Sequence, residues 1–204
     1  MDKQVHWQNV YTTKDSATVS WFQVEATPSL EAIAKLKLGK DTPLIDIGGG
    51  ASTLVDALLA DGWSDVSILD IAESALAVPK VRLGSAAARV EWIVADIAAW
   101  QPKRRYGLWH DRAVFHFLTE AAQRDAYRKA LEAGLAIGGH VVLATFALDG
   151  PEKCSGLPVQ RHDAASAQQE LGPKFTLLES WPQTHTTPGG TMQKFNWYLF
   201  QRAE

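Results

Sequence analysis

Residues 43–60 read PLIDIGGGASTLVDALLA, an apolar run that ends in three consecutive glycines and passes at once into helical periodicity. The first part has the look of a buried central strand, and Leu54, Val55, Leu58 and Leu59 then recur at the spacing of one helix face. A strand, a glycine turn and a helix in direct succession constrain the chain strongly. Gly48, Gly49 and Gly50 let the backbone turn tightly under a bulky ligand, while the helix that follows offers free N–H groups and the positive end of its dipole. Asp46 stands inside the strand as a lone acid among apolar neighbours.

The same alternation repeats along the chain. Strands are predicted over 66–69, 90–94, 106–109 and 140–146, with helical patterns between most of them, and a helix over 28–38 leads in, with Ser29 placed to cap its first turn. Strands alternating with helices call for a doubly wound, mostly parallel α/β sheet covered on both faces. After Phe146 the texture becomes loop-like, then a short helix is expected over 164–170. Extended runs over 175–184 and 192–201, joined by Thr187-Pro188-Gly189-Gly190, read as a hairpin that adds one antiparallel strand near the C-terminus. No repeat, low-complexity tract or linker interrupts residues 1–204, so one domain is expected.

Bulk properties narrow the partners. With 20 basic and 23 acidic residues the net charge is -3, which provides no global positive field for a nucleic acid backbone. Every apolar run is broken well before the roughly 20 residues needed to span a bilayer, and the first residues lack the form of a signal peptide. A single cysteine, Cys154, fits a reducing compartment, so the expectation is a soluble cytoplasmic protein. Cys154, His162 and His185 have no zinc-like spacing, and no metal is expected. Most of the 8 tryptophans are expected to fill gaps between helices and sheet.

Two further acids fall at strand ends. Asp70 closes the second strand roughly 20 residues past the glycine turn, a spacing that sets a carboxylate against ribose hydroxyls in doubly wound sheets. That suits NAD or an adenosyl ligand alike. Asp96, after the third strand, is placed to accept from an adenine amino group, which the usual NAD fingerprint does not include. Each acid alone suits a solvated loop or a helix cap. A dinucleotide G-x-G-x-x-G is also missing, because Thr53 occupies its last position.

With these residues in place, the sequence resembles the class I S-adenosylmethionine-dependent methyltransferases over nearly its whole length, which implies a Rossmann-like methyltransferase sheet. Asp46, Gly48 and Gly50 match the stretch that holds the methionine moiety in that family, with Gly49 and Ser52 in the same turn. Ser52 stands where the pattern often has its last glycine. Asp70 matches the ribose acid and Asp96 the adenine contact; Ile71 and Ile97, next after them, complete the expected cofactor contacts. Trp7, Tyr11, Trp21 and Phe22 are similar to the W-x-x-x-Y and W-[FY] leading segment of small bacterial methyltransferases and of the lysine methyltransferases acting on citrate synthase and elongation factor. The resemblance implies that residues 1–27 cover the cofactor, with Tyr11 and Trp21 near its methionine end. Plain cover for the sheet edge fits these aromatics equally well.

The fourth strand runs into His110-Asp111-Arg112-Ala113-Val114-Phe115-His116, similar to the D-[KR]-[GA] stretch of the lysine methyltransferase branch. Ligands collect at the C-terminal edge of such sheets, so Asp111, Arg112 and His116 are the expected catalytic residues. His116 would act as a base, Arg112 would orient a small anionic acceptor, and Asp111 would meet the ammonium of a protein lysine. His185 is expected in the same acceptor pocket. Methyl transfer is an in-line displacement that needs alignment and exclusion of water more than acid–base chemistry, so the sequence specifies S-adenosylmethionine better than the acceptor. A small molecule and a protein lysine both stay open, as do a NAD oxidoreductase and a non-catalytic adenosyl-binding protein. A reductase would want Tyr-x-x-x-Lys, and Tyr127-Arg128-Lys129 has the wrong spacing.

Overall fold

The computed structural model describes residues 2–203. In chain order the elements are α1 (Lys3–Thr13), α2 (Thr27–Lys35), β1 (Leu44–Ile47), α3 (Leu54–Ala60), β2 (Val66–Asp70), α4 (Glu73–Leu83), β3 (Val90–Val94), β4 (Tyr106–Arg112) and α5 (Ala121–Gly134). They continue with β5 (Leu135–Phe146), a two-rung hairpin of β6 (Lys153–Cys154) and β7 (Leu157–Pro158), α6 (Ala164–Leu171), β8 (Phe175–Thr186) and β9 (Met192–Arg202).

Seven strands form one sheet in the order β3-β2-β1-β4-β5-β9-β8. The first five are mutually parallel, and β9 lies antiparallel between β5 and β8. This is the doubly wound sheet with one antiparallel strand that the alternation and the terminal hairpin predict.

Strand alternation sorts the side chains onto two cores. Leu44, Ile68, Leu108, Val142 and Trp197 pack on the face covered by α2 and α3. Ile45, Leu69, Trp109, Val141 and Tyr198 pack on the other, beneath α5 and α6. The period of two therefore decides which face each polar residue of β1 and β4 meets. Of the tryptophans, Trp63, Trp109 and Trp197 are fully buried in these cores.

Ser29 departs from expectation. Helix α2 begins at Thr27 behind Ala26, with Pro28 in its first turn and no side-chain cap. A proline fixes the opening φ without needing its missing N–H, so the helix starts earlier than the serine suggests. Ser29 is consequently an interior, buried residue turned onto the sheet.

Helix α1 contributes no residue to either core. Asp2 caps it by accepting from the Gln4 and Val5 amides, and Val10 is its one buried residue. It is docked by polar contacts: the Ser74 hydroxyl donates to the Gln8 carbonyl at 3.2 Å, and Lys3 Nζ donates to the Phe117 carbonyl at 2.7 Å. Among the described residues no helix is long and apolar enough to cross a membrane.

Candidate functional site

The tips of the parallel strands carry the polar residues. Following the sheet from its β3 edge, the chain presents Asp96 just after β3, Asp70 ending β2, Gly48 just after β1 and Arg112 ending β4. Neighbouring strands lie about 4.8 Å apart, so the row extends roughly 14 Å. One cleft of about 800 Å³, partly open to solvent, is bordered by all four. Its roof is aromatic: Trp7 and Tyr11 of α1, with Trp21 and Phe117, form a cluster whose ring centroids lie 5.1–6.3 Å apart, most of them edge to face. Such a wall combines apolar cover with few polar groups, the makeup of a small-ligand site.

The glycine turn is shaped by close approach. Gly48 and Gly50 have φ of +68° and +40°, in the region L side chains avoid. A Cβ on Gly48 would lie 2.0 Å from a Val114 methyl, and one on Gly50 would lie 2.8 Å from Asp70 Oδ2 and 3.2 Å from the Tyr11 hydroxyl. Only bare backbone lets the turn, the acid and the tyrosine converge. The Ser52 hydroxyl accepts at 3.1 Å from the amide of Leu54, the residue that begins the following helix.

Asp70 accepts from the Ala72 amide at 2.8 Å. Burial pushes its carboxyl up to about 7, with the neighbouring Asp46 adding to the rise against the Ala72 amide. Tyr11 is likewise raised, by burial and by Asp70, while Trp21 Nε1 donates to its oxygen at 3.3 Å. Asp96 is exposed and accepts from the Ala98 amide at 2.9 Å; Ile71 and Ile97 also border the cleft.

A second, adjoining space of about 570 Å³ lies over Asp46, Gly49 and Ser52 and shares Tyr11, Trp21, Gly48 and Arg112 with the first. Here Asp46 and His110 face each other across one rung of β1 and β4. His110 Nδ1 is 2.6 Å from Asp46 Oδ1, and its Nε2 is 3.0 Å from the Ser29 hydroxyl. A carboxylate only accepts, so we assign the Nδ1 proton to the Asp46 bond. The chain Ser29–His110–Asp46 thus holds the acid beneath the glycine turn.

Comparison by sequence gives no match to a family model or to a curated protein. Comparison by structure does. An S-adenosylmethionine-dependent methyltransferase from Anabaena variabilis superposes with a TM-score of 0.77 at 16% identity over 99% of this chain and 96% of that one. The N-methyltransferase NodS of Bradyrhizobium japonicum, solved with S-adenosylhomocysteine, gives 0.72 at 16% identity over 100% of both chains. The 1,6-didemethyltoxoflavin-N1-methyltransferase of Burkholderia thailandensis gives 0.69 at 17% identity over 99% and 84%. This is the class I methyltransferase fold.

Within the methyltransferase fold, the expected cofactor residues Tyr11, Trp21, Gly48, Asp70, Ile71, Asp96 and Ile97 come together around the first cleft, while Asp46, Gly49 and Ser52 border the second. Gly50 lies in the same turn, behind Asp70 and Tyr11. The expected catalytic residues do not stay together. Asp111 and Arg112 are consecutive in a strand and leave on opposite faces. Asp111 is fully buried on the α5 side, where its Oδ1 accepts from the Val114 and Phe115 amides at 2.8 and 3.3 Å, and burial raises its carboxyl to about 6. It shapes the turn after β4 and does not face the cleft.

His116 is corrected for a related reason. The short 3-10 turn Phe115–Phe117 carries Phe117 to the cleft and packs His116 inward between Phe117 and Phe146, both at 4.6 Å. It has no exposed surface, and burial lowers its basicity to about 3. His185 also misses the cleft: its Nε2 meets the Ser20 carbonyl at 2.8 Å and clamps the loop after α1.

Arg112 does border both spaces. Its Nη1 donates to the Trp21 carbonyl at 3.1 Å, and the guanidinium lies over the Phe195 ring at 5.4 Å. Nε and Nη2 are buried and meet no acceptor among the described residues. Burial is the main influence on this cation and lowers it to about 10. Cys154, from the β6–β7 hairpin, lines the first cleft beside it as a thiol raised to about 11 by burial. No cluster of three or more His, Cys, Asp or Glu among the described residues is placed to hold a metal ion.

Lys3 was not singled out from sequence, Ser29 was read only as a helix cap, and Trp7 and His110 were named within motifs without a role of their own at the site. The available signal for His110 was a polar residue directly after the apolar Leu108-Trp109 of one strand, opposite a strand with a polar residue of its own at Asp46.

Proposed function

We propose that this chain transfers the methyl group of S-adenosylmethionine to a small-molecule acceptor in the cleft beneath α1. The observation that carries the reading is the row of Asp96, Asp70 and Gly48 at three adjacent strand tips around one cleft. The bound cofactor supplies an activated methyl group together with its own leaving group. The chain's part is to hold, align and exclude water.

In this reading Asp70 accepts the ribose hydroxyls, Asp96 and Ile97 meet the adenine edge, and residues 48–52 pass under the methionyl portion. Asp46 is kept in place there by His110 and Ser29. Residues 1–27 act as the cover, with Trp7, Tyr11 and Trp21 closing the cleft. The solved relatives support the choice of ligand: NodS holds S-adenosylhomocysteine, and the Burkholderia enzyme holds the same product with 1,6-didemethyltoxoflavin. A protein lysine is the weaker reading, because Asp111, the acid expected to meet its ammonium, is buried on the far face. The single, buried cysteine suits a cytoplasmic setting.

Calorimetric titration with S-adenosylmethionine, S-adenosylhomocysteine and NAD in parallel tests the cofactor. Both adenosyl ligands should bind and NAD should not; the reverse pattern would remove the proposal. Labelled methyl transfer into cell extract, separated into small-molecule and macromolecular fractions, then tests the acceptor class. Label confined to protein would end the small-molecule reading.

A further inference from the structure

We infer that the methyl acceptor is a small monoanion, ionised before it binds, whose charge is met by Arg112. This inference rests on the methyltransferase reading and specifies its second substrate.

The argument begins with position. An adenosyl ligand lying along Asp96, Asp70 and Gly48 occupies the tips of β3, β2 and β1. Arg112 stands one strand further, at the tip of β4, where the cleft wall continues as Ala113, Val114, Phe117 and Cys154. That end holds Arg112 among apolar and aromatic side chains; the other cation bordering the cleft, Lys3, has its ammonium engaged by the Phe117 carbonyl and Gln123 Oε1.

A guanidinium in such surroundings needs a counter-charge. Burying a cation is costly unless it is paired, and an arginine has five N–H donors to satisfy. Arg112 has one hydrogen bond, to a backbone carbonyl, and its Nε and Nη2 meet nothing among the described residues. Asp111 beside it in sequence points the other way, and Asp46, whose charge favours the cation, gives its hydrogen bond to His110 and none to the guanidinium. An anion entering from the cleft would complete the set.

The described residues that line this end give the second constraint. His116, His185 and Asp111 do not line the cleft, and Cys154 and Tyr11 are both shifted toward their neutral forms. Asp70 lies at the ribose position. An ammonium acceptor would have to lose a proton before attack with nothing there to take it, and Arg112 would repel it. A thiolate or carboxylate arrives with its lone pair free. Its attack forms the new bond to the methyl carbon as the carbon–sulfur bond breaks, the electron pair staying on sulfur. Sulfonium and anion become two uncharged products, and no proton is released.

The test uses the full-length protein saturated with S-adenosylhomocysteine, titrated with thiophenolate, benzoate or benzylamine and followed by tryptophan fluorescence, since Trp7 and Trp21 line the cleft. At least one anion should bind saturably and benzylamine should not. Arg112→Met should weaken the anion by about 10–100-fold, the range of one charge-assisted hydrogen bond. Its affinity for S-adenosylhomocysteine should stay within about threefold, and Arg112→Lys should restore part of the anion affinity. If neither anion binds, or benzylamine binds as well as they do, the inference is overturned. A loss of about tenfold or more in S-adenosylhomocysteine affinity in Arg112→Met, with anion binding unchanged, would assign the arginine to the cofactor's own carboxylate. If the wild-type protein does not bind S-adenosylhomocysteine at all, the methyltransferase reading falls, and this inference with it.

Discussion

His110 and Asp46 are joined by a 2.6 Å hydrogen bond across adjacent parallel strands, both at 2–3% exposure. A buried acid with one ring partner is expensive to orphan. His110→Phe should therefore cost roughly 3–5 kcal/mol, as for removing one member of a buried pair. Ser29→Ala removes only a neutral hydroxyl and should cost about 1 kcal/mol. Urea unfolding of the two variants gives the comparison, and equal costs would mean that Asp46 does not depend on the ring.

Asp70 makes the free protein pH-sensitive. Its carboxyl is raised from 3.8 to about 7, mainly by burial, so the folded state holds the proton more tightly than the unfolded one. Stability is then lost as pH rises through that window, and the cost is complete above about pH 7. Asp70→Asn cannot ionise. Relative to wild type it should gain about 2–3 kcal/mol between pH 5 and pH 8. Parallel stability profiles for the two proteins would show that Asp70 is not held neutral. Affinity for S-adenosylhomocysteine in the wild type should strengthen as pH rises toward 7, because ribose hydroxyls donate to the ionised form.

His116 works in the opposite direction. Burial keeps it neutral when folded, down to about pH 3, while the unfolded chain protonates it near 6.5. Its contribution to stability is thus present above 6.5 and is lost as pH falls. His116→Phe preserves a ring between Phe117 and Phe146 and should flatten the acid limb by about 2–3 kcal/mol between pH 6.5 and 4. Turnover of S-adenosylmethionine should change only a few-fold. A fall of about 10²–10⁴ would restore the histidine as a general base.

Gly48 offers a steric test. Gly48→Ala places a methyl 2.0 Å from Val114 on a backbone with φ +68°. Strain and crowding together should cost on the order of 2–4 kcal/mol. Gly189→Ala has ordinary φ and only Thr187 Oγ1 at 3.8 Å, so it should fall within about 0.5 kcal/mol of wild type. Thermal melts that fail to separate them would argue that the turn relaxes.

The sequence displays the sheet because burial on both faces forces long apolar strands, and PLIDI and HVVLATF can be little else. Strand ends were legible too, since Asp70 and Asp96 break those runs. Side-chain direction at β4 was not. Asp111 and Arg112 look alike as neighbours in a charged stretch, and only the phase of the strand separates them onto opposite faces. His116 was misread because a 3-10 turn has no apolar period that would announce which residue points inward. The helix over Lys3–Thr13 has little amphipathic signal for a similar physical reason: beside Val10 it rests on the polar Lys3 and Gln8 and on Trp7 and Tyr11, whose amphipathic rings face the cleft and not either core.

The place of β9 bears on how the chain is made. It is synthesised after every other strand of the sheet, yet it lies inside, between β5 and β8. Until it emerges from the ribosome, β5 presents an unpaired edge and β8 has no strand to pair with. Nascent chains stalled before residue 192 would hold a half-sheet with an open seam, vulnerable to proteases and to other strands, and the hairpin must zip into that seam as one late event.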